Sequence, residues 1–241
     1  MGYIVMAYAE NGYQEFLLPE IFDSDHKLVL NRKLFGLQHD IHILMENVDG
    51  NWKFVAQKKY KLRTKDGENG FQTRLEDGQI YHLKTPNKNL ITLVVLVSEE
   101  NFPGFKKYEL RRTSQVTIGK GEENTIQYDF RGYISKNHCV LFKHEHRWVF
   151  QDFSSNGSYL NGSRIRQQQY LSFGDQITLF GLRIIFLDTC IGVCNLSGEC
   201  HINTDGLPIY EPREEVQIPE EAPVAEPKEL FKRAPRTVDN L

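Results

Sequence analysis

An all-β chain in which one sandwich architecture occurs twice is the fold class predicted by these 241 residues, on three observations. Short runs rich in Val, Ile, Phe, Tyr and Leu alternate with turn residues, and no 3.6-residue apolar period persists over three helical turns. Sliding the sequence along itself by 96 positions superimposes His42 on His138, Trp52 on Trp148 and Gly78 on Gly174 without a gap. An apolar content of 40%, with 12% aromatic residues, is enough to fill the cores of two ordinary domains.

Taken in chain order, the N-terminal run Met1 to Tyr8 reads as a strand. Ile41 to Met45 and Trp52 to Val55 read as a strand pair, and Leu75 to Ile80 leads into the apolar strand Leu90 to Val97. The second copy repeats this with Asn137 to Leu141, Trp148 to Gln151, Leu171 to Ile177 and a closing strand, Leu182 to Leu187. These patterns divide the chain into a sandwich over 1–97 and a second over 98–190. Residues 191–210 are Gly-punctuated and read as a hairpin around Ser197-Gly198, or an extension packed on the second sandwich. From Glu211 to Glu229 four prolines and seven glutamates stand against one arginine and one lysine, which predicts a disordered acidic linker over 211–241.

A formal net charge of -3 gives no positive excess for holding a phosphate backbone, which argues against a nucleic-acid partner. The longest apolar run, Leu90 to Val97, is far shorter than the roughly 20 residues a membrane helix needs. The first residues lack the basic start and small-residue cleavage site of a secretory signal, so the expected location is the cytoplasm. The four cysteines are too sparse for a disulfide framework, and Cys139 lies in an apolar strand pattern, as a reduced buried thiol would. Cys190, Cys194, Cys200 and His201 form a weak zinc candidate, because three and then five intervening residues do not match paired Cys-x-x-Cys knuckles. No metal and no cofactor is expected.

The informative stretch starts at Ile118-Gly119-Lys120-Gly121, passes through Ile134-Ser135-Lys136-Asn137-His138 and ends with Asp152-Phe153-Ser154-Ser155-Asn156-Gly157-Ser158-Tyr159-Leu160-Asn161-Gly162. With Gly174-Asp175 following, this order of motifs resembles the forkhead-associated (FHA) domain. The resemblance implies phosphothreonine recognition. In its terms Ser135 donates its hydroxyl to the phosphate, Lys120 and Lys136 supply charge, Ser155 lines the pocket, and Asn156 holds the peptide backbone. Gly119, Gly157 and Gly162 are turn or close-approach residues, while His138 and Asn161 brace loops. The family typically has arginine where this chain has Lys120, and an ammonium cannot make the planar two-pronged contact of a guanidinium.

In the first copy the same offset places Ser24 opposite Lys120, His39 opposite Ser135 and Tyr60 opposite Asn156. The phosphate-binding set is missing there, so that copy reads as a degenerate FHA-like sandwich. Gly119-Lys120-Gly121 lacks the spacing of a P-loop, and no nucleophile elbow, zinc-protease helix or Rossmann glycine set occurs, so no catalytic residue is assigned. Tandem FHA-like domains followed by an acidic linker and Phe231-Lys232-Arg233-Ala234-Pro235-Arg236 resemble the N-terminal cytosolic region of the type VII secretion membrane ATPases, the EssC or YukBA type of the FtsK/SpoIIIE family. That resemblance implies a front piece of a longer protein, tethered at the inner face of the cell membrane by a helix that would follow the basic cluster. Two functions stay open: a module for a phosphothreonine-containing protein, and a phospho-independent scaffold that docks secretion subunits or regulates the attached motor.

Overall fold

In the computed structural model the described residues are 2–18, 25–55, 61–64, 67, 69–70, 72–84, 90–98 and 104–211. The linker expected over 211–241 lies, from residue 212 on, outside them. The first half contains β1 (Gly2–Tyr8), β2 (Tyr13–Leu18), β3 (Asp25–Leu30), one helical turn α1 (Arg32–Phe35), β4 (Ile41–Val48), β5 (Asn51–Val55), β6 (Lys61–Thr64), β7 (Asn69–Gly70), β8 (Gln72–Arg74), β9 (Ile80–Lys84) and β10 (Leu90–Ser98). The second continues with β11 (Lys106–Glu109), β12 (Gln115–Gly119), β13 (Ile126–Asp129), β14 (Cys139–His144), β15 (Arg147–Asp152), β16 (Tyr159–Leu160), β17 (Ser163–Arg164) and β18 (Gln169–Tyr170). It ends with β19 (Gln176–Leu179), β20 (Leu182–Phe186), β21 (Cys190–Asn195) and β22 (Glu199–Ile202). Among the described residues no helix is long and apolar enough to cross a membrane.

Four sheets make two sandwiches. In the first, β2-β1-β10-β9-β6-β7 covers β3-β4-β5-β8; in the second, β11-β21-β20-β19-β16-β17 covers β18-β15-β14-β12-β13-β22. The period-2 pattern explains the layering: along β4, Ile41, Ile43 and Met45 turn into the core while His42 and Leu44 stay half-exposed. The repeat seen in sequence is a repeat of hydrogen bonds. Leu75 N–H donates to the Trp52 carbonyl and Leu171 N–H to that of Trp148, both at 2.9 Å. Gly78 N–H donates to Val95 at 2.7 Å and Gly174 N–H to Phe186 at 2.8 Å. Both glycines have positive φ, +66° and +88°, which an L side chain rarely adopts.

Strand register corrects the gapless alignment at its N-terminal end. Leu28 pairs with Ile43 and Ile118 with Cys139, so β12 follows β3 at an offset of 90 residues, whereas β14 follows β4 at 96. Lys120 therefore corresponds to Leu30 and not to Ser24, and the connection before β14 is six residues longer in the second copy. The first copy closes this connection with α1, capped by Asn31, whose side chain accepts from the Lys33 and Leu34 N–H groups. The second copy inserts β13 and the loops around it. Ser24 and Tyr60 lie outside the described residues.

The hairpin expected around Ser197-Gly198 is corrected too. A turn does occur there, but its two strands join opposite sheets: β21 pairs with β11 and β20, while β22 pairs with β13. Matching the sheets position by position, β21 stands where β1 stands in the first sandwich, antiparallel to β20 as β1 is to β10. The inner strand that the first sandwich takes from its N-terminus comes, in the second, from the C-terminal side. Residues 203–210 then fold back, with Leu207 fully buried in the core and Glu109 N–H donating to Pro208 at 2.7 Å.

The two sandwiches are not beads on a string, since Met1–Tyr210 form one compact unit. Alternate residues of β1 serve two cores. Val5 and Ala7 belong to the first sandwich, and Ile4, Met6 and Tyr8 join the cluster that continues through Tyr159, Phe180 and Leu182 of the second. A strand buried on both faces must be apolar without alternation, which explains the unbroken run Ile4 to Tyr8. Tyr8 stacks on Phe180 at 4.4 Å between centroids, the Tyr159 hydroxyl donates to the Ala9 carbonyl at 2.9 Å, and Arg183 pairs with Glu15.

Met6 is fully buried at this junction, so Met6→Ala should cost about 2–5 kcal/mol. Each sandwich holds one tryptophan, and denaturation followed by fluorotryptophan NMR should show the loss in both the Trp52 and Trp148 signals. A shift confined to Trp52 would contradict a shared core.

Candidate functional site

Three loops meet at one end of the second sandwich: β12–β13 with Lys120, β13–β14 with Ser135 and Lys136, and β15–β16 with Ser155 and Asn156. Backbone bonds join the first two, as Lys120 N–H donates to Ser135 and Gly121 N–H to Lys136, both at 3.0 Å. The buried Asn124 side chain ties the same pair, donating to the Gly121 and Lys136 carbonyls at 2.8 Å each. This closeness explains Gly119, where a Cβ would lie 2.2 Å from the Lys136 carbonyl oxygen. The third loop closes onto the second: Ser155 N–H donates to Ser135 Oγ at 3.4 Å and Asn156 Nδ2 to the Tyr133 carbonyl at 2.7 Å.

His138 holds this assembly from below. It is fully buried, and Nδ1 accepts the Ser135 N–H at 3.1 Å, which requires the neutral tautomer with its proton on Nε2. Burial lowers its pKa, and the nearby Asp152 carboxylate only partly offsets this. Asp152 in turn accepts from the hydroxyls of Ser154 at 2.9 Å and Ser158 at 2.7 Å, and Ser154 Oγ accepts the Gly157 N–H at 2.7 Å. Gly157 has φ +92°, so this turn takes a conformation that suits glycine.

The charged groups are exposed. Lys136 Nζ lies 3.3 Å from Glu123, whose carboxyl is held below its usual range by its own backbone N–H and by Lys136. Among the described residues the Lys120 ammonium has no ion-pair partner. Asn161 and Gly162 lie in a different loop, with positive φ at both (+50° and +81°), the geometry of a type I′ hairpin turn between β16 and β17. The Asn161 side chain donates to Asp175 at 2.8 Å and accepts from Gln176 N–H at 2.9 Å.

The cysteine candidate falls apart in space. Cys190 and Cys194 are on the face of β21 opposite the core-directed Ile191 and Val193, and with three residues of strand between them they lie about 13 Å apart. Cys200 packs toward the core from the other sheet and His201 is exposed. Burial raises all three thiols, Cys200 to about 11, which keeps them protonated, and among the described residues no group of three or more potential ligands occurs.

Tyr133 and its partner across the sandwiches escaped the sequence reading. The Tyr133 hydroxyl meets His82 Nε2 at 2.9 Å, and His82 Nδ1 meets Thr92 Oγ1 at 3.2 Å. Burial, followed by Arg63, lowers the His82 pKa. Nothing at positions 82 or 133 marks such a contact in sequence, because the residues are 51 apart and in different sandwiches. The Asp152 hydroxyl ring was legible in principle, from Ser154 and Ser158 closely following an aspartate at a strand end.

Both imidazoles are held below the ordinary histidine value of 6.5, so the unfolded chain takes up protons first. Stability is intact above that value and lost as pH falls through the folded values. Thermal midpoints taken from about pH 8 to pH 5 should therefore drop on the acid side, and His82→Gln should flatten part of the drop. Gly119→Ala should separate the first two loops at any pH, costing about 1–3 kcal/mol by denaturation.

Residues 116–180 match the family model of the FHA domain. No curated protein matches the chain. Among solved structures the chain is similar to the N-terminal FHA domain from EssC, a component of the bacterial type VII secretion apparatus, with 14% identity and a TM-score of 0.54 over 83% of this chain and 95% of that one. It is also similar to Mycobacterium tuberculosis EmbR in complex with a low-affinity phosphopeptide, at 23% identity and TM-score 0.28 over 41% of this chain and 26% of that one. A third is the FHA-2 domain of a Mycobacterium tuberculosis ABC transporter, at 24% identity and TM-score 0.29 over 42% and 83%. Residues 116–180, which carry the three joined loops, match the FHA family model, and the described residues share the fold of the N-terminal FHA domain from EssC over 83% of the chain.

Proposed function

We propose that the chain is a non-catalytic protein-docking module whose three joined loops receive a phosphothreonine of a partner protein. The observation that carries this reading is the Ser155 N–H bond to Ser135 Oγ. It uses an oxygen lone pair of Ser135 and leaves the hydroxyl hydrogen to donate to a phosphate oxygen. A phosphate brings nearly two negative charges and three acceptor oxygens, to which Lys120, Lys136 and the Ser155 hydroxyl are suitable complements. Asn156 then holds the peptide backbone, exchanging its bond to Tyr133. Lys136 has to leave Glu123, which costs little for a pair this exposed.

The similarity to the EssC domain supports a place at the front of a type VII secretion ATPase of the FtsK/SpoIIIE family. There the module would lie at the cytoplasmic face of the membrane, with Lys232, Arg233 and Arg236 flanking a helix that follows. The motor activity belongs to other segments of such a protein. A phospho-independent scaffold for secretion subunits is the second reading, favoured by Lys120 in place of arginine and by the acid already paired with Lys136.

Titration with a phosphothreonine peptide pool, before and after phosphatase, separates the two. The first reading expects binding that phosphatase abolishes, that falls at least about tenfold in Ser135→Ala and in Asn156→Ala, and that strengthens in Glu123→Gln, which frees Lys136. Equal binding of dephosphorylated peptides would overturn it in favour of the scaffold.

A further inference from the structure

A cavity of about 340 Å³ opens between the sandwiches, walled by Tyr8, Glu10 and Thr92 from the first and by Tyr133, Asn156 and Arg164 from the second. It begins where the tip loops end, since Asn156 belongs to both. Its aromatic walls are fixed: Tyr8 stacks on Phe180, Tyr133 packs against Phe180 with centroids 5.2 Å apart, and the Tyr159 hydroxyl is bonded to the Ala9 carbonyl. β17, which carries Arg164, is bound to the first sandwich by the Arg164 N–H donating to the Asn11 carbonyl at 3.1 Å. The cavity therefore exists only in the two-sandwich unit.

Its charge is unbalanced. Glu10 is already paired with Arg166 at 3.1 Å. The Arg164 guanidinium, half-buried, makes a single long bond of 3.5 Å to the Ser155 carbonyl and has no carboxylate partner among the described residues. A half-buried, planar, five-donor cation beside aromatic faces suits a carboxylate, which it can grip with two parallel bonds. We propose that this inter-sandwich cavity selects an acidic side chain of the ligand, next in line to the residue held by the tip loops, with Arg164 as the selecting group. The proposal rests on the peptide-binding reading above, and deepens it by making specificity a property of both sandwiches.

The test uses phosphothreonine peptides that carry Glu or its isostere Gln at each flanking position, titrated against the whole chain. At one position the Glu peptide should bind about tenfold tighter than its Gln twin. Arg164→Gln should bring the Glu peptide down to the Gln peptide's level, Arg164→Lys should retain part of the difference, and Glu10→Gln, removing an acid from the first sandwich's wall, should widen it. A ratio near one at every position, or a ratio that survives Arg164→Gln with unchanged thermal midpoint, overturns this proposal and leaves phosphothreonine binding standing. Absence of binding by every peptide, with Ser135→Ala indistinguishable from the parent, overturns both.

Discussion

Everything else in this molecule depends on a strand with no solvent face. β1 gives Val5 and Ala7 to one core and Ile4, Met6 and Tyr8 to the next, so neither layer of side chains can be removed without opening a cavity in a sandwich. Burying a large apolar side chain is worth about 1.5–3 kcal/mol, and the three residues facing the second sandwich supply much of the cohesion across the junction. The polar contacts around them, Tyr159 to Ala9 and Arg166 to Glu10, then fix orientation more than they add strength. A rigid junction gives the space between the sandwiches a definite shape.

The same economy governs the second sandwich, which begins without a free N-terminal strand to occupy its inner edge. β21, arriving from the C-terminal side, fills that position, pairs with β11 and β20, and removes two open edges at once. The turn at Ser197-Gly198 carries the chain over to β13, where β22 covers a further edge. Cys190 and Cys194 are buried as a consequence of this pairing, and the outcome for their chemistry is packing and not ligation.

The loops at the tip are held as strictly as the sheets. An uncharged His138 beneath Ser135, an Asn124 amide spanning two carbonyls and a glycine where no Cβ fits leave little freedom for the residues above them. Preorganisation of this kind lowers the entropy lost when a ligand binds. The first sandwich, with a connection six residues shorter before β4, has no room for such loops and uses a capped helical turn instead. Its contribution is made through β1, β9 and β10, at the boundary with its neighbour.

Much of this was legible in the residues alone. Strand content follows from period-2 patterning, the two copies from His, Trp and Gly spaced alike, and the tip loops from glycine, asparagine and hydroxyl residues at strand ends, because these signals are local and act through the backbone of a few neighbours. The correspondence across copies failed between β3 and β4, since a gapless comparison cannot register an insertion within a loop. Strand β21 was hidden because a strand's partners are chosen by sheet edges far away in sequence. Arg164, Tyr133 and His82 belong to the same class: their meaning comes from surfaces that meet only after both sandwiches have folded. Local chemistry thus determined which elements form, and long-range packing decided which residues of different elements share a site, as burial and charge compensation exist only in the assembled whole.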